Sequence, residues 1–288
     1  MSGASWGGLA REERKADMIT ASQKEAFDSR GLTRLGGLLP AERVDPAREA
    51  VLGPLGRQGV WRDGSWHLGE LPPSTAPNAG ANLVKGVKRS QKIRDLLTEE
   101  VRRIVADLLD ERVTFPVTDF PQLLFTLPNA ESWTVPHNVW HLDVPRLPDC
   151  GIPGVQMFTF LSTVAPGGGG TLVVTGSHRL LNESRRISSK QLKKRLKREP
   201  YFRDLMSMGL ADRHRFIREC SRVGDVELQV VELHGEPGDV IFMDMRILHT
   251  LAPNAGRVPR IMVTQRFLLE SLRGAVYGGI ELDDPASP

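Results

Sequence analysis

The sequence predicts a mainly β fold with flanking helices, whose core is a sandwich or barrel of jelly-roll type. Two observations carry this prediction. From about residue 113, short runs rich in β-branched, aromatic and leucine residues alternate with turn clusters, notably the four glycines after Pro166. Before that point the apolar residues recur at helical spacing. Many short strands between Gly/Pro turns are typical of antiparallel sandwiches and barrels.

The composition is that of one ordinary globular domain. The chain has 288 residues, of which 40% are hydrophobic and 25% are charged, close to globular averages. The two cysteines, Cys150 and Cys220, are too few for a disulfide framework and lack zinc-site spacing. No apolar run is long enough to cross a membrane, and charged residues stand where a signal peptide would have an apolar core. We therefore expect a cytoplasmic protein.

The N-terminal third is predicted to be helical, with one hairpin. In chain order, the predictions are a flexible arm over 1–22, short helices over 24–52, a hairpin over 59–67, a loop over 69–82 and a helix over 90–108. The hairpin prediction depends on Asp63-Gly64, a residue pair that favours a tight turn. The last helix is predicted because Ser90 can cap it and its apolar residues form one stripe.

The β core is predicted over about 113–268, within a single domain of residues 23–275. The predicted strands are Gln122–Leu127, Gln156–Val164, Thr171–Thr175, Val226–Leu233, Val240–Met243 and Pro259–Leu268. Residues 276–288 are predicted to form a tail.

A basic helical insertion of about 180–222 interrupts these strands. Between Arg179 and Arg222 there are fourteen Lys/Arg and five Asp/Glu, a local charge of +9 within a chain whose net charge is +3. One interpretation is a solvated helix face. The other is a mobile cover of a ligand pocket that attracts an anionic substrate.

Three residues offer the ligand set of a non-haem iron centre. His141 and Asp143 are two apart, so in a strand both side chains point to the same face. His249 follows about a hundred residues later, at a strand end. Two imidazoles and one carboxylate suit Fe(II) and leave coordination positions open. The alternative interpretation makes His141 a core histidine and Asp143 a turn residue before Pro145.

The context of these residues resembles a known family. The matching stretches are Trp140–Asp143, the block Gly169–Arg179, the run Gly238–Asp244 leading to Leu248-His249, and then Asn254 and Arg260. Over about 115–268 they resemble the phytanoyl-CoA dioxygenase family of Fe(II)/2-oxoglutarate oxygenases. The resemblance implies a double-stranded β-helix (cupin-like) core, Fe(II), 2-oxoglutarate and O2. It makes His141, Asp143 and His249 the iron ligands and Arg260 the partner of the distal carboxylate of 2-oxoglutarate.

Arg260 suits that role because a guanidinium stays charged and grips a carboxylate with two parallel hydrogen bonds. Arg266, on the same strand face, is a second candidate. Gln122 and Thr126, four apart on one strand face, are candidate hydrogen-bond donors to 2-oxoglutarate. The sequence departs from the family where Leu251 replaces an assisting hydroxyl, for which Thr250 or a threonine of another strand can substitute.

The predicted function is a dioxygenase that hydroxylates or otherwise oxidises a C–H bond of a small molecule, while 2-oxoglutarate and O2 become succinate and CO2. Two alternatives stay open. A nucleic-acid demethylating oxygenase would use the basic insertion, but no aromatic residue interleaves its basic run. A cupin-like metal- or ligand-binding module would use the same residues without catalysis. The sequence does not indicate an oligomeric state.

Overall fold

The computed structural model describes residues 18–69, 71, 76, 80–110, 112–147, 151–182 and 186–277. The strands are β1 (Leu32–Leu35), β2 (Trp61–Arg62), β3 (Ser65–Trp66), β4 (Thr114–Pro116), β5 (Gln122–Thr126), β6 (Gly154–Phe160), β7 (Thr171–Thr175), β8 (Ser221–Val223), β9 (Val226–Glu232), β10 (Val240–Asp244), β11 (His249–Leu251) and β12 (Arg260–Leu269). The helices are α1 (Ala21–Arg30), α2 (Ala41–Arg57), α3 (Gln91–Arg94), α4 (Glu99–Leu108), α5 (Ser189–Leu196), α6 (Pro200–Leu205), α7 (Arg215–Arg218) and α8 (Arg273–Tyr277). Short 3-10 helices cover Ala81–Val87, Ser177–Arg179 and Glu270–Leu272.

Two antiparallel sheets form the core. The major sheet has the order β1-β10-β6-β12, and β5 and β4 pair with successive parts of the free edge of β12. The minor sheet has the order β11-β7-β9-β8. Apolar residues of both sheets share one buried cluster, among them Phe158, Met262 and Val173. The predicted mainly β, jelly-roll architecture with flanking helices is therefore confirmed.

The N-terminal helices cover the outer face of the major sheet. Because side chains alternate along a strand, Val155 and Val263 point away from the second sheet and pack with helical residues such as Val51 and Ile104. The helix predicted over 90–108 is interrupted. It ends at Arg94 and restarts at Glu99, where the Thr98 side chain accepts a hydrogen bond from the Val101 N–H.

The predicted hairpin is present. Asp63 and Gly64 both have positive φ, 50° and 72°, as a tight type I′ turn requires. Across it, the rings of Trp61 and Trp66 lie 4.7 Å apart.

The basic insertion packs on the outer face of the minor sheet. The apolar side of α5, α6 and α7 buries Leu192, Phe202 and Phe216 in one cluster with Leu228 and Val230 of β9. Most of its lysines lie on the solvent-facing side, whereas Arg213 is buried and donates hydrogen bonds to the carbonyls of Val135 and Ser207. In residues 186–222 the apolar residues hold the segment against the sheet, which favours the interpretation as a solvated helix face over that of a mobile cover.

The chain ends are packed where they are described. Residues 1–17 of the predicted arm lie outside the described residues, but Ile19 is buried and the Met18 N–H donates to Asp107 Oδ2 at 2.9 Å. At the other end Val276 is buried, and the rest of the predicted tail, 278–288, is not described. In the described part of the chain, no helix is both long and apolar enough to span a bilayer.

Candidate active site

The two chain segments that carry the predicted iron ligands meet side by side. The His141 N–H donates to the His249 carbonyl at 2.9 Å, and the His249 N–H donates back at 3.1 Å. Only this isolated bridge is formed, so His141 and Asp143 do not lie in the regular strand that their spacing predicted; Asp143 follows in a bend. The backbone pairing nevertheless brings both imidazole rings to one side, with their centroids 4.3 Å apart.

The three side chains converge on one point. Asp143 Oδ1 lies 3.6 Å from His141 Nε2, and Asp143 Oδ2 lies 3.6 Å from His249 Nε2. One ligand atom from each residue lies within 4.8 Å of the other two. This spacing would allow the three atoms to hold a single ion.

The backbone fixes which nitrogen of each imidazole faces that point. His141 Nδ1 is 2.9 Å from the Val139 carbonyl, and His249 Nδ1 is 3.0 Å from the Ile247 carbonyl. A carbonyl only accepts, so each Nδ1 carries the proton and each Nε2 presents a lone pair. Val139 has φ 53°, in the left-handed region that β-branched residues avoid.

The electrostatics favour the metal-binding protonation states. Burial lowers the pKa of His249, which keeps its imidazole neutral. Burial raises the pKa of the Asp143 carboxyl, but the favourable electrostatic contacts with His249 and Arg266 and the hydrogen bond from Arg266 outweigh it, so the net pKa is lowered. Two imidazoles and one carboxylate are a donor set suited to Fe(II), so the residues fit that ion.

A cavity of about 760 Å³ opens between the sheets at this point. Its lining includes all six residues that the sequence singled out: Gln122, Thr126, His141, Asp143, His249 and Arg260. None of the lining residues comes from the described part of the basic insertion.

Arg260 lies at the inner part of the cavity, at the start of β12, and is 3% exposed. Its Nη2 donates to Thr126 Oγ1 at 2.7 Å and its Nη1 to the Gly169 carbonyl at 2.5 Å, whereas its Nε has no partner among the residues described. Burial lowers the pKa of Arg260 to about 10, so the side chain stays charged at neutral pH. A buried guanidinium that bonds no carboxylate among the described residues fits the distal carboxylate of 2-oxoglutarate.

The carbonyl that holds Arg260 belongs to the glycine cluster, which Glu232 fixes. The buried Glu232 carboxylate accepts the N–H of Gly167 at 2.7 Å and of Gly170 at 3.0 Å, and burial raises its pKa. Gly169 has φ 84°, and a Cβ there would lie 2.8 Å from the Cβ of Asn254. Sequence reasoning missed Glu232, whose only signal was an acid at the end of an apolar strand.

The remaining polar residues divide between the mouth and the interior. Gln122 is exposed, whereas Thr126 is buried against Arg260. The buried Thr250 hydroxyl has no hydrogen-bond partner in the part of the chain that the structure describes. Thr171, opposite Leu251 in the strand pairing, lines the cavity. Gln156 is buried and also lines the cavity, but the sequence analysis did not single it out.

Arg266, the second candidate anchor, is engaged elsewhere. Its Nε donates to Asp143 Oδ2 at 2.6 Å. Its contacts therefore favour a role in holding Asp143 over the role of a second anchor for the distal carboxylate of 2-oxoglutarate.

Comparison with known proteins identifies relatives of this arrangement. The sequence model of a family described as "Phytanoyl-CoA dioxygenase (PhyH)" matches residues 27–262. No curated protein gives a significant sequence match.

Three solved structures share the fold. A non-haem α-ketoglutarate-dependent carbocyclase of nogalamycin biosynthesis, SnoK, is 16% identical with a TM-score of 0.53, over 87% of this chain and 84% of its own. EctD from S. alaskensis, with 2-oxoglutarate and 5-hydroxyectoine, is 16% identical with a TM-score of 0.54, over 89% and 78%. HygX from Streptomyces hygroscopicus, with nickel and 2-oxoglutarate bound, is 16% identical with a TM-score of 0.50, over 88% of both chains. At these identities the likeness establishes the fold alone.

Proposed function

The chain belongs to the phytanoyl-CoA dioxygenase family of Fe(II)- and 2-oxoglutarate-dependent oxygenases, and we propose that His141, Asp143 and His249 are its iron ligands and Arg260 its cosubstrate anchor. When bound, Fe(II) and 2-oxoglutarate supply the oxidising chemistry, in which 2-oxoglutarate and O2 are converted to succinate and CO2. The observation that carries the proposal is the convergence of three ligand atoms within 4.8 Å in a cavity that also contains Arg260, a buried arginine that bonds no carboxylate among the described residues.

The roles of the side chains follow from their contacts. His141 and His249 present Nε2 because their Nδ1 protons are bonded to the backbone. Asp143 supplies the carboxylate, and Arg266 holds one of its oxygens. Three ligands on one side of an ion leave the other side open for the cosubstrate and O2.

Arg260 determines where the cosubstrate lies. Thr126 and the Gly169 carbonyl hold its guanidinium at the inner part of the cavity. A dicarboxylate bonded there at one end extends toward the three ligands with the other. Thr126 thus acts through Arg260. Gln122 is exposed and lines the cavity, and its role as a hydrogen-bond donor to 2-oxoglutarate stays a prediction.

The substrate is a small molecule. The cavity of about 760 Å³ lies within the range of small-molecule sites. The related structures named above concern a carbocyclase of nogalamycin biosynthesis and a protein that holds 5-hydroxyectoine. An excess of cationic side chains around the cavity favours an acidic substrate. Nucleic-acid demethylation has less support, because the basic insertion lies on the outer face of the minor sheet.

The test is reconstitution of the metal-free protein with Fe(II) under anaerobic conditions, followed by 2-oxoglutarate and O2. We expect one bound iron per chain and slow formation of succinate even without the substrate. His249→Ala should abolish both, whereas His67→Ala, in the exposed hairpin, should change neither. Full iron content and succinate formation in His249→Ala would refute the assignment. Iron binding by the wild type without any succinate would instead indicate a binding module.

A further inference from the structure

Arg266 presents an unused hydrogen-bonding edge to the cavity. Its Nε is committed to Asp143 at 2.6 Å, but neither Nη group has a partner among the described residues. The side chain is 28% exposed and lines the cavity. A guanidinium can bond one carboxylate with one edge and still offer two N–H groups to another oxyanion.

Arg266 and Arg260 occupy opposite ends of the same strand face. They are six residues apart on β12, so their Cα atoms are separated by roughly 20 Å at about 3.3 Å per residue. Arg260 is anchored by Thr126, whereas Arg266 contacts an iron ligand. The carboxylate that bonds Arg260 is therefore distinct from the oxyanion that the free edge of Arg266 can bond.

The charges around the cavity do not balance. Among the described lining residues, Lys88, Arg260 and Arg266 are cationic and Asp143 is the only carboxylate. Fe(II) and dianionic 2-oxoglutarate together add no net charge. Counting the lining residues alone, two positive charges therefore remain when both are bound, while Glu232 behind the lining attracts Arg260. Excess charge of one sign in a cleft attracts ligands of the other.

We propose that Arg266 and Lys88 form a second anion site, which binds an acidic oxyanion group, carboxylate or phosphate, on the substrate that is oxidised. This rests on the proposed function, because Arg260 must already be occupied by 2-oxoglutarate. The acidic group of the substrate bonds the free edge of Arg266, and its reacting carbon lies beside the iron ligands. Val84, Phe120 and Leu124 also line the cavity, so the rest of the substrate is at least partly apolar.

The test compares three six-carbon probes on the anaerobic enzyme loaded with Fe(II) and saturated with 2-oxoglutarate. Hexanoate and hexyl phosphate are acidic, and hexanamide is neutral. Calorimetry at low ionic strength should show at least one acid binding wild type at least tenfold more tightly than the amide. The tighter of the two acids identifies carboxylate or phosphate as the recognised group.

Variants separate this site from a merely structural role for Arg266. In Arg266→Gln the preference for acid over amide should fall to threefold or less, and in Lys88→Gln it should fall about threefold with iron content unchanged. Arg266→Lys, which keeps the charge, should retain iron and part of the preference. Arg34→Gln removes an arginine that pairs with an aspartate in the same sheet but lies outside the cavity lining; it should keep the full preference.

Three results would overturn the proposal. They are the absence of acid preference in wild type, unchanged affinities for all three probes in Arg266→Gln, and an equal weakening of all three probes in that variant. The last would mean that Arg266 only positions Asp143. These results differ from failure of the proposed function, which would appear first as a wild-type protein that binds neither iron nor 2-oxoglutarate.

Discussion

Replacing Arg260 by lysine tests the cosubstrate anchor most directly. The substitution keeps a positive charge at the inner part of the cavity but removes the planar fork. Lysine cannot reach Thr126 Oγ1 and the Gly169 carbonyl in the two fixed directions that the guanidinium uses, at 2.7 and 2.5 Å. It also cannot grip a carboxylate with two parallel bonds.

The expected size of the effect follows from these contacts. Each hydrogen bond that involves a charged group contributes about 1.5–3 kcal/mol. The lysine ammonium lies in the same space and restores part of the binding free energy that the two guanidinium bonds supplied. A net loss of about 1.5–3 kcal/mol corresponds to roughly a 10- to 100-fold weaker affinity for 2-oxoglutarate, since about 1.4 kcal/mol is a factor of ten. Iron content should stay unchanged, because Arg260 contacts none of the three iron ligands.

The assay is an anaerobic titration of the Fe(II)-loaded protein with 2-oxoglutarate, followed by its absorbance or by calorimetry. Thr126→Val gives a second measurement. If Thr126 acts only by holding Arg260, the double variant should bind 2-oxoglutarate no more weakly than Arg260→Lys alone. An unaltered affinity in Arg260→Lys would refute the reasoning and move the anchor to another cation of the cavity.

Three further predictions concern the rest of the molecule. Phe202→Ala empties a fully buried position under the basic insertion and should lower the free energy of unfolding by about 3–5 kcal/mol, measured by denaturant titration. Replacing Lys193, Lys194 and Arg195 by glutamine should leave the salt dependence of 2-oxoglutarate turnover unchanged, because this segment does not line the cavity. A weaker salt dependence in the triple variant would instead support a basic segment that covers the pocket. Burial raises the pKa of Asp239, but hydrogen bonds from two backbone amides and an arginine outweigh it and leave the pKa below 3.8. Its stabilising contribution is therefore present above pH 3.8 and lost as the pH falls through the folded-state pKa, so acid titration of Asp239→Asn should show a shallower loss of stability than wild type.

Long, periodic elements were predictable from the sequence, and short ones were not. Strand β7 lies at Thr171–Thr175, as predicted, because its residues are apolar or β-branched and glycines flank it. Strands β1 and β11, of four and three residues, lack a local pattern of their own. They form because they pair with the edges of β10 and β7. These partners are distant in the sequence, so the residues of β1 and β11 alone do not indicate the pairing.

The same limit applies to the candidate site. The family resemblance supplied His141, Asp143, His249 and Arg260, and the cavity brings all four together. The contact between Arg266 and Asp143 joins residues 123 positions apart, so no spacing rule could indicate it. For the basic insertion, the sequence contained the buried stripe of Leu192 and Leu196, but not which surface that stripe would cover.

The way in which the two histidines are oriented bears on how the protein tolerates mutation. Each imidazole is held by the carbonyl of the residue two positions earlier in its own segment, Val139 and Ile247. Every amino acid carries such a carbonyl, so the presentation of Nε2 does not depend on the identity of any partner side chain. Substitutions around the histidines can accumulate over evolutionary time while this orientation persists, provided that the local backbone path is kept. Selection for the orientation of the histidines therefore acts on the path of the backbone. Neighbouring side chains can change, and with them the substrate that the cavity accepts.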